Sequence, residues 1–359
     1  MGYFRLKPEC YLVMGAKRAM LHNLVEKKCI WLTEEAADML SRAEHNDPIG
    51  ENEQEFFKTL AAKGWGEISD KKVFVDKFRP FNVFNEKKFH KNTPNVEIAI
   101  LQITNSCNMD CEFCGKTFCP SCLRYDNDSE SLSLDEWKKV IDDISFYGLK
   151  AVVLTGGEPA LCKDMPEIVD YLKSKNIVVT IHTNGLKKLD NRYKDCGKII
   201  SVLSEEGYFK VCENYAKEKN VTLMVYDKTI DVSGASKKGW SIRNCTNEQT
   251  TVKKTEMGGI SALKFYARQT YEDCMWSKIA VSHSGDIYPC LGVKKPIGNI
   301  REIEMYKAIK TLVEEYWIRS VEKRDSKCSM CEFRYSCKSC SCYDAEKNCA
   351  YDVEEALWI

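Results

Sequence analysis

The chain is short of charge imbalance, of long apolar runs and of any export signal. Its 53 Lys and Arg are matched by 53 Asp and Glu, for a formal net charge of zero. A chain without excess positive charge has no polycationic footprint for phosphate backbones, which argues against nucleic-acid binding. No apolar run approaches the length of a membrane span. The opening Met1-Gly2-Tyr3-Phe4-Arg5 has no apolar core of the kind a secretory signal needs. These absences predict a cytoplasmic protein with neither a membrane nor a nucleic acid as partner. The remainder is ordinary for a soluble globular protein, with 30% charged and 44% hydrophobic residues. A length of 359 residues leaves room for two or three domains.

What the chain has in excess is cysteine, 19 residues of it. In a reducing compartment, thiols clustered at short spacing favour metal ligation over disulfides. Three stand in one loop as Cys107-x3-Cys111-x2-Cys114, two follow at Cys119 and Cys122, and eight fall between Cys274 and Cys349. Thiolate sulfur is a soft ligand suited to iron–sulfur clusters. A cubane has four irons, so a three-thiolate loop leaves one iron for a ligand that is not protein. Phe113 directly precedes the third cysteine, and Gly156-Gly157-Glu158-Pro159 follows about forty residues later. The two glycines permit close backbone approach and unusual dihedrals, Glu158 offers an acceptor, and Pro159 stiffens the turn.

From Glu97 onward the pattern alternates strand and helix, which predicts an α/β fold with a parallel sheet. Strands are expected at 97–104, 151–155, 177–183, 199–203, 221–226 and 262–266. Helices are expected from Ser133 to about Tyr147 and from Met165 to Lys175. Every motif then falls at the C-terminal end of a strand, where parallel α/β architectures place their sites. Before this, residues up to about Asp70 read as a small separate domain. A strand at 6–14 leads to a hairpin pairing 20–24 with 29–32. A helix capped by Thr33 follows, and a second runs from Glu53 to Lys63.

The cysteine loop, Phe113 and the Gly-Gly-Glu-Pro turn together resemble the radical S-adenosylmethionine (SAM) superfamily. The resemblance implies a partial (β/α)6 TIM-like barrel over residues 95–270. Cys107, Cys111 and Cys114 would hold a [4Fe–4S] cluster whose open iron chelates SAM. The SAM site would include Phe113, Gly156, Gly157, Glu158, Pro159, Thr183, Asn184 and Ser201. Leu203 stands where the family pattern has Asp, which leaves the ribose contacts open. His182 reads as a structural histidine.

Residues 271–359 resemble the SPASM domain, which holds two auxiliary [4Fe–4S] clusters in peptide-modifying enzymes. By that resemblance one cluster takes Cys328, Cys331, Cys337 and Cys349. The other takes Cys274, Cys290 and one or both of Cys340 and Cys342. Ser341 departs from the pattern, and residues 275–284 contain no further cysteine. A zinc ribbon is the alternative for two Cys pairs. Residues 1–85 resemble the winged-helix RiPP recognition element, a leader-peptide-binding domain. Its edge at Cys29 to Leu32 would take the leader by strand addition. A winged helix that reads DNA is disfavoured by the acids and aromatics of Glu53-Gln54-Glu55-Phe56-Phe57.

The expected activity is reductive cleavage of SAM and modification of a ribosomal precursor peptide, with flavodoxin or ferredoxin as electron donor. An intramolecular thioether is the expected product, with a carbon–carbon crosslink or epimerisation as alternatives. Rival assignments are a sulfatase or quinone-cofactor maturase, and a non-catalytic iron–sulfur binding or electron-transfer protein. Cys119 and Cys122 are left as ligands, a redox pair, a hydrogen donor or bystanders.

Overall fold

The structure, a computed structural model, describes residues 2–78, 94–111, 114, 129–245, 258–272, 274–319, 321, 327–337 and 349–358. Near the N-terminus, β1 (Tyr3–Leu6) pairs antiparallel with β5 (Gly66–Ser69). Between them β2 (Cys10–Met14), β3 (Ala19–Asn23) and β4 (Lys28–Leu32) form a three-stranded antiparallel sheet. Two helices cover it, α1 (Glu34–Glu44) and α2 (Gln54–Ala62). The hairpin between β3 and β4 turns at Lys27, whose φ is +54°. Thr33 caps α1 by accepting from the Ala36 amide, as a short hydroxyl at that position does.

The strand expected over 6–14 is two strands. Pro8 has no amide proton to give a ladder, and the chain turns there with Cys10 N–H bonded to Lys7 C=O at 3.0 Å. Every residue of β3 is buried. Ala19 and Leu21 enter a core with Leu40, Phe57 and Leu60 of the covering helices. Met20, on the opposite face, packs with Phe333, Tyr351 and Val353, and the His22 ring lies 5.5 Å from that of Phe265. The sheet is thus held on one side by its own helices and on the other by distant parts of the chain.

The main body is a nine-stranded sheet of α/β type. In chain order its strands are β6 (Ile98–Gln102), β7 (Ala151–Thr155), β8 (Val178–Thr183), β9 (Gly197–Val202), β10 (Val221–Val225), β11 (Ser241–Asn244), β12 (Lys278–Val281), β13 (Asp286–Tyr288) and β14 (Gly298–Asn299). Spatially they run β11-β10-β9-β8-β7-β6-β12-β13-β14. From β11 through β12 all neighbours are parallel, and β13 and β14 close the edge antiparallel. Helices α3 (Leu134–Ser145), α4 (Met165–Ser174), α5 (Glu205–Asn214) and the short α6 (Ser233–Lys237) connect these strands. Each of the first three buries an apolar stripe, such as Trp137, Val140, Ile141 and Ile144 of α3. Ser133 and Glu136 cap α3 reciprocally.

Residues 262–266, expected as the sixth strand, instead begin a helix, α7 (Ala262–Thr270). The run Phe265-Tyr266 has strand-forming residue types, but both rings pack in one cluster with Val13 and Leu24, and packing overrides propensity. The strand actually beside β10 is Ser241–Asn244, largely exposed. Helix α8 (Met305–Thr311) follows, and β15 (Tyr351–Asp352) pairs with β16 (Leu357–Trp358) near the C-terminus. Among the described residues no helix is long and apolar enough to cross a membrane.

Candidate active site

Four loops meet at the C-terminal ends of β6, β7, β8 and β9. The loop after β6 carries the cysteines, and two backbone bonds hold it to the turn after β7. Gly157 N–H donates to Thr104 C=O at 2.9 Å, and Glu158 N–H donates to Ser106 C=O at 2.8 Å. The glycines allow this approach. A Cβ on Gly156 would stand 2.5 Å from Thr104 O, and one on Gly157 would stand 2.4 Å from Ser106 O. The resemblance places these glycines at SAM; the structure adds a contact with the cysteine loop itself.

Glu158 was expected to accept from a polar ligand. Its carboxylate is wholly buried and accepts three bonds from the protein. These come from Thr183 Oγ1 at 2.7 Å, Asn184 N at 2.7 Å and Ala160 N at 3.0 Å. It therefore ties the loop after β8 to the loop after β7. Burial pushes its pKa up, and the donors from Asn184, Thr183 and Ala160 pull it back. Pro159 is buried and begins a single 3-10 turn.

Asn184 reaches the cysteine loop by its side chain, donating from Nδ2 to Asn108 Oδ1 at 2.7 Å. Ser201 Oγ is hydrogen-bonded to His182 Nε2 at 2.8 Å. A pocket of about 200 Å³ opens here, lined by Met109, Asn184, Ser201, Leu203, Ser204 and Lys210 among others. Thr104, Asn108 and Met109 escaped sequence reasoning, although all three lie in or beside the cysteine spacing. Lys210 lies a turn into α5 with nothing in its local pattern to mark it.

Cys107, Cys111 and Cys114 are half-buried thiols. Cys114 N–H donates to Cys111 C=O at 3.0 Å. Burial, and after it the neighbouring Cys107 and Cys114, push the Cys111 thiol up to about 11. Three thiols close enough to repel one another as thiolates fit a cationic iron cluster, which supplies the missing countercharge. Among the described residues no three donors already stand as a closed metal cage. Phe113, Cys119 and Cys122 lie outside the described residues.

Of the C-terminal thiols, Cys331, Cys337 and Cys349 pack on one small core around Phe333 and Tyr351. Burial raises the Cys331 thiol, and Cys337 and Cys328 raise it further, so these neighbours share one locale. Cys274 and Cys290 flank the open end of the β12–β13 hairpin, whose register pairs Ala280 with Tyr288. Cys290 Sγ accepts from Gly292 N–H at 3.2 Å. Cys340 and Cys342 lie outside the described residues. Soft sulfur donors in two further groups fit iron–sulfur or zinc ligation.

Residues 101–208 match the Radical SAM superfamily. The match begins in β6, includes the cysteine loop and the glycine turn, and ends in α5. The chain is 34% identical over 100 residues to a protein named "Probable GTP 3',8-cyclase" of Methanococcus maripaludis, covering 27% of this chain and 32% of that one. It is 28% identical over 88 residues to the "PqqA peptide cyclase" of Bradyrhizobium diazoefficiens, covering 24% of this chain and 22% of that one. The matched part thus spans about a third or less of these curated relatives. Among solved structures the chain is similar to Streptococcus suis SuiB bound to precursor peptide SuiA, at 15% identity and a TM-score of 0.47, over 95% of this chain and 96% of that one.

Proposed function

We propose that the chain is a radical SAM enzyme that modifies a ribosomally made precursor peptide. The observation that carries the reading is the three-cysteine loop, hydrogen-bonded through Thr104 and Ser106 to the glycine turn at the mouth of a parallel sheet. Cys107, Cys111 and Cys114 would hold a [4Fe–4S] cluster. When bound, that cluster and SAM supply a 5′-deoxyadenosyl radical, which takes a hydrogen atom from a C–H bond. The chain's own part is positional. Glu158 fixes the loop bearing Thr183 and Asn184, and Asn184 fixes the cysteine loop through Asn108. Ser201, Leu203 and Met109 then shape the pocket beside it. Leu203 in place of an acid leaves ribose recognition to Asn184, Ser201 and Ser204.

The peptide reading is supported by the N-terminal unit and the likeness to the PqqA peptide cyclase. Among the described residues β4 pairs only with β3, and its outer side would be the edge at which an extended leader adds. The opposite strand, β2, is flanked by the following segment, where Lys77 Nζ donates to Cys10 C=O at 3.0 Å. Cys328, Cys331, Cys337 and Cys349 would hold one auxiliary cluster; Cys274 and Cys290, with Cys340 or Cys342, would hold a second. Residues 275–284 offer no extra cysteine. That leaves a position for a substrate thiolate and supports an intramolecular thioether as product. The likeness to GTP cyclases supports a second reading, a nucleotide substrate. The alignment that supports it covers 27% of this chain.

The deciding assay is reductive SAM cleavage with dithionite, scored as 5′-deoxyadenosine; no product under anaerobic reconstitution would defeat the reading. Mass spectrometry of the modified precursor then tests the product. Loss of two hydrogens with a cysteine no longer alkylatable supports the thioether. The same loss with every cysteine alkylatable means a carbon–carbon link, and a D-residue without mass change means epimerisation.

A further inference from the structure

A second cavity, of about 230 Å³, lies between the N-terminal sheet and the C-terminal hairpin. Arg18, Trp31, Glu332, Phe333, Tyr351 and Trp358 line it. The rings form a continuous box. Trp31 meets Phe333 edge-on at 5.6 Å, and Phe333 meets Tyr351 at 4.9 Å. Tyr351 lies 5.0 Å from Trp358.

Two buried polar atoms of opposite sense belong to this box and have no partner. Glu332 is 2% exposed. One of its oxygens accepts from the Tyr351 hydroxyl, and the other, Oε2, accepts from nothing. The Trp358 indole Nε1–H is likewise buried and donates to nothing. Orphaned buried groups of this kind are costly and mark a place for a partner. One needs a donor and the other an acceptor. A hydroxyl is both. The charges of Arg18 and Glu332 balance across the lining, so a neutral group fits where a cation or anion would leave an uncompensated charge. Aromatic walls favour an aromatic body, in edge or offset contact with the rings.

We infer that this cavity binds the phenol side chain of a tyrosine in the substrate peptide, its O–H donating to Glu332 and its oxygen accepting from Trp358. The inference rests on the peptide-substrate reading above. Its link to the peptide is Trp31, which lies on β4. An extended segment added to that strand sends alternate side chains to opposite faces. The face that carries Cys29 and Trp31 is the one that meets Phe333 and Tyr351. Tyrosine is also a favoured anchor residue in desolvated pockets.

The test uses the full chain and N-acetyl-tyrosinamide, N-acetyl-phenylalaninamide and N-acetyl-lysinamide as probes, read by the indole N–H resonances of Trp31 and Trp358. Trp358→Phe identifies its own resonance. N-acetyl-tyrosinamide should shift both signals saturably. Loss of the probe's hydroxyl removes both hydrogen bonds and should weaken binding about 25-fold, about five-fold for each. Trp358→Phe, which keeps a ring and removes one donor, should weaken the tyrosine probe about five-fold, with Trp31 as reporter. Equal binding of the phenylalanine and tyrosine probes would overturn the inference. So would preference for the lysine probe, or no shift with any probe, which would mean that water alone fills the cavity. The probe series on the unaltered chain stands even if a variant misfolds. Tyrosine binding by a chain that cannot cleave SAM would defeat the enzyme reading and leave the pocket. SAM cleavage and peptide modification without tyrosine binding would defeat the pocket alone.

Discussion

Gly157→Ala is the sharpest test of how the site is built. A Cβ at this position would stand 2.4 Å from Ser106 O and 2.7 Å from Asn105 O. Both are backbone atoms, so no rotamer change relieves the contact. Real Cβ contacts do not fall below 3.0 Å, so moving Ser106 O out from 2.4 Å requires a displacement of at least 0.6 Å. The same movement opens the 2.8 Å bond from Glu158 N to Ser106 O. Overpacking of this kind costs about 1–3 kcal/mol. A misplacement of about 1 Å in a catalytic arrangement costs about 100-fold in rate, so 0.6 Å should cost on the order of ten-fold. Urea unfolding followed by circular dichroism reads the first quantity, and 5′-deoxyadenosine formation at matched iron content reads the second. Gly258→Ala is the control, since its Cβ would meet nothing within 4 Å, and it should move neither. If Gly157→Ala unfolds at the unaltered urea midpoint and cleaves SAM at the unaltered rate, the loop contact is not what demands glycine. If it keeps full stability but loses cleavage, the glycine answers to the ligand rather than to Ser106.

Replacing Cys107, Cys111 and Cys114 together with Ala should abolish 5′-deoxyadenosine and lower iron from about twelve to about eight per chain, on a count of roughly four irons per cluster; retained cleavage would remove the assignment. Deleting residues 1–78 should strongly destabilise the chain, because it uncovers Phe265, Phe333 and Tyr351, which are among the described core; a truncated chain with an unaltered thermal midpoint would show the N-terminal unit to be separable. Burial without hydrogen-bond partners lowers the His22 pKa from 6.5 to about 4. Its contribution is therefore complete above pH 6.5 and is lost as pH falls from 6.5 through 4, about 3 kcal/mol in all. His22→Leu should flatten that part of the stability–pH curve, and an unchanged slope would show that the imidazole does not set it.

The strands that sequence patterning located well are the ones buried on both faces, where apolar runs are unbroken. The expected 151–155 strand coincides with Ala151–Thr155, and 221–226 contains Val221–Val225. The strand at Ser241–Asn244 carried no such signal, because an exposed edge strand needs no apolar face. Phe265 and Tyr266 misled in the other direction, since aromatic residues suit a strand or a packed helix equally until their partners are known. In the site, the thiols and glycines were legible because few residue types can do their work. What the glycines touch was not legible, because it depends on Thr104 and Ser106 arriving from another strand. Nor was the use of Glu158, whose partners Thr183 and Asn184 lie some twenty-five residues away. The Asn108–Asn184 bond left no trace in the sequence, since an amide pair has no spacing rule.

The strand β3 belongs to two cores at once, and this sets how the molecule comes apart. A strand with one wet face can release its amide protons when a single layer lifts. Ala19 to Asn23 has no such layer: exposing it requires both the α1–α2 side and the Phe265–Phe333 side to open. Hydrogen exchange at these five amides should therefore be among the slowest in the N-terminal unit and should report global rather than local opening. Peptide binding at the neighbouring β4 would then be felt across the seam as added protection of residues more than two hundred positions away.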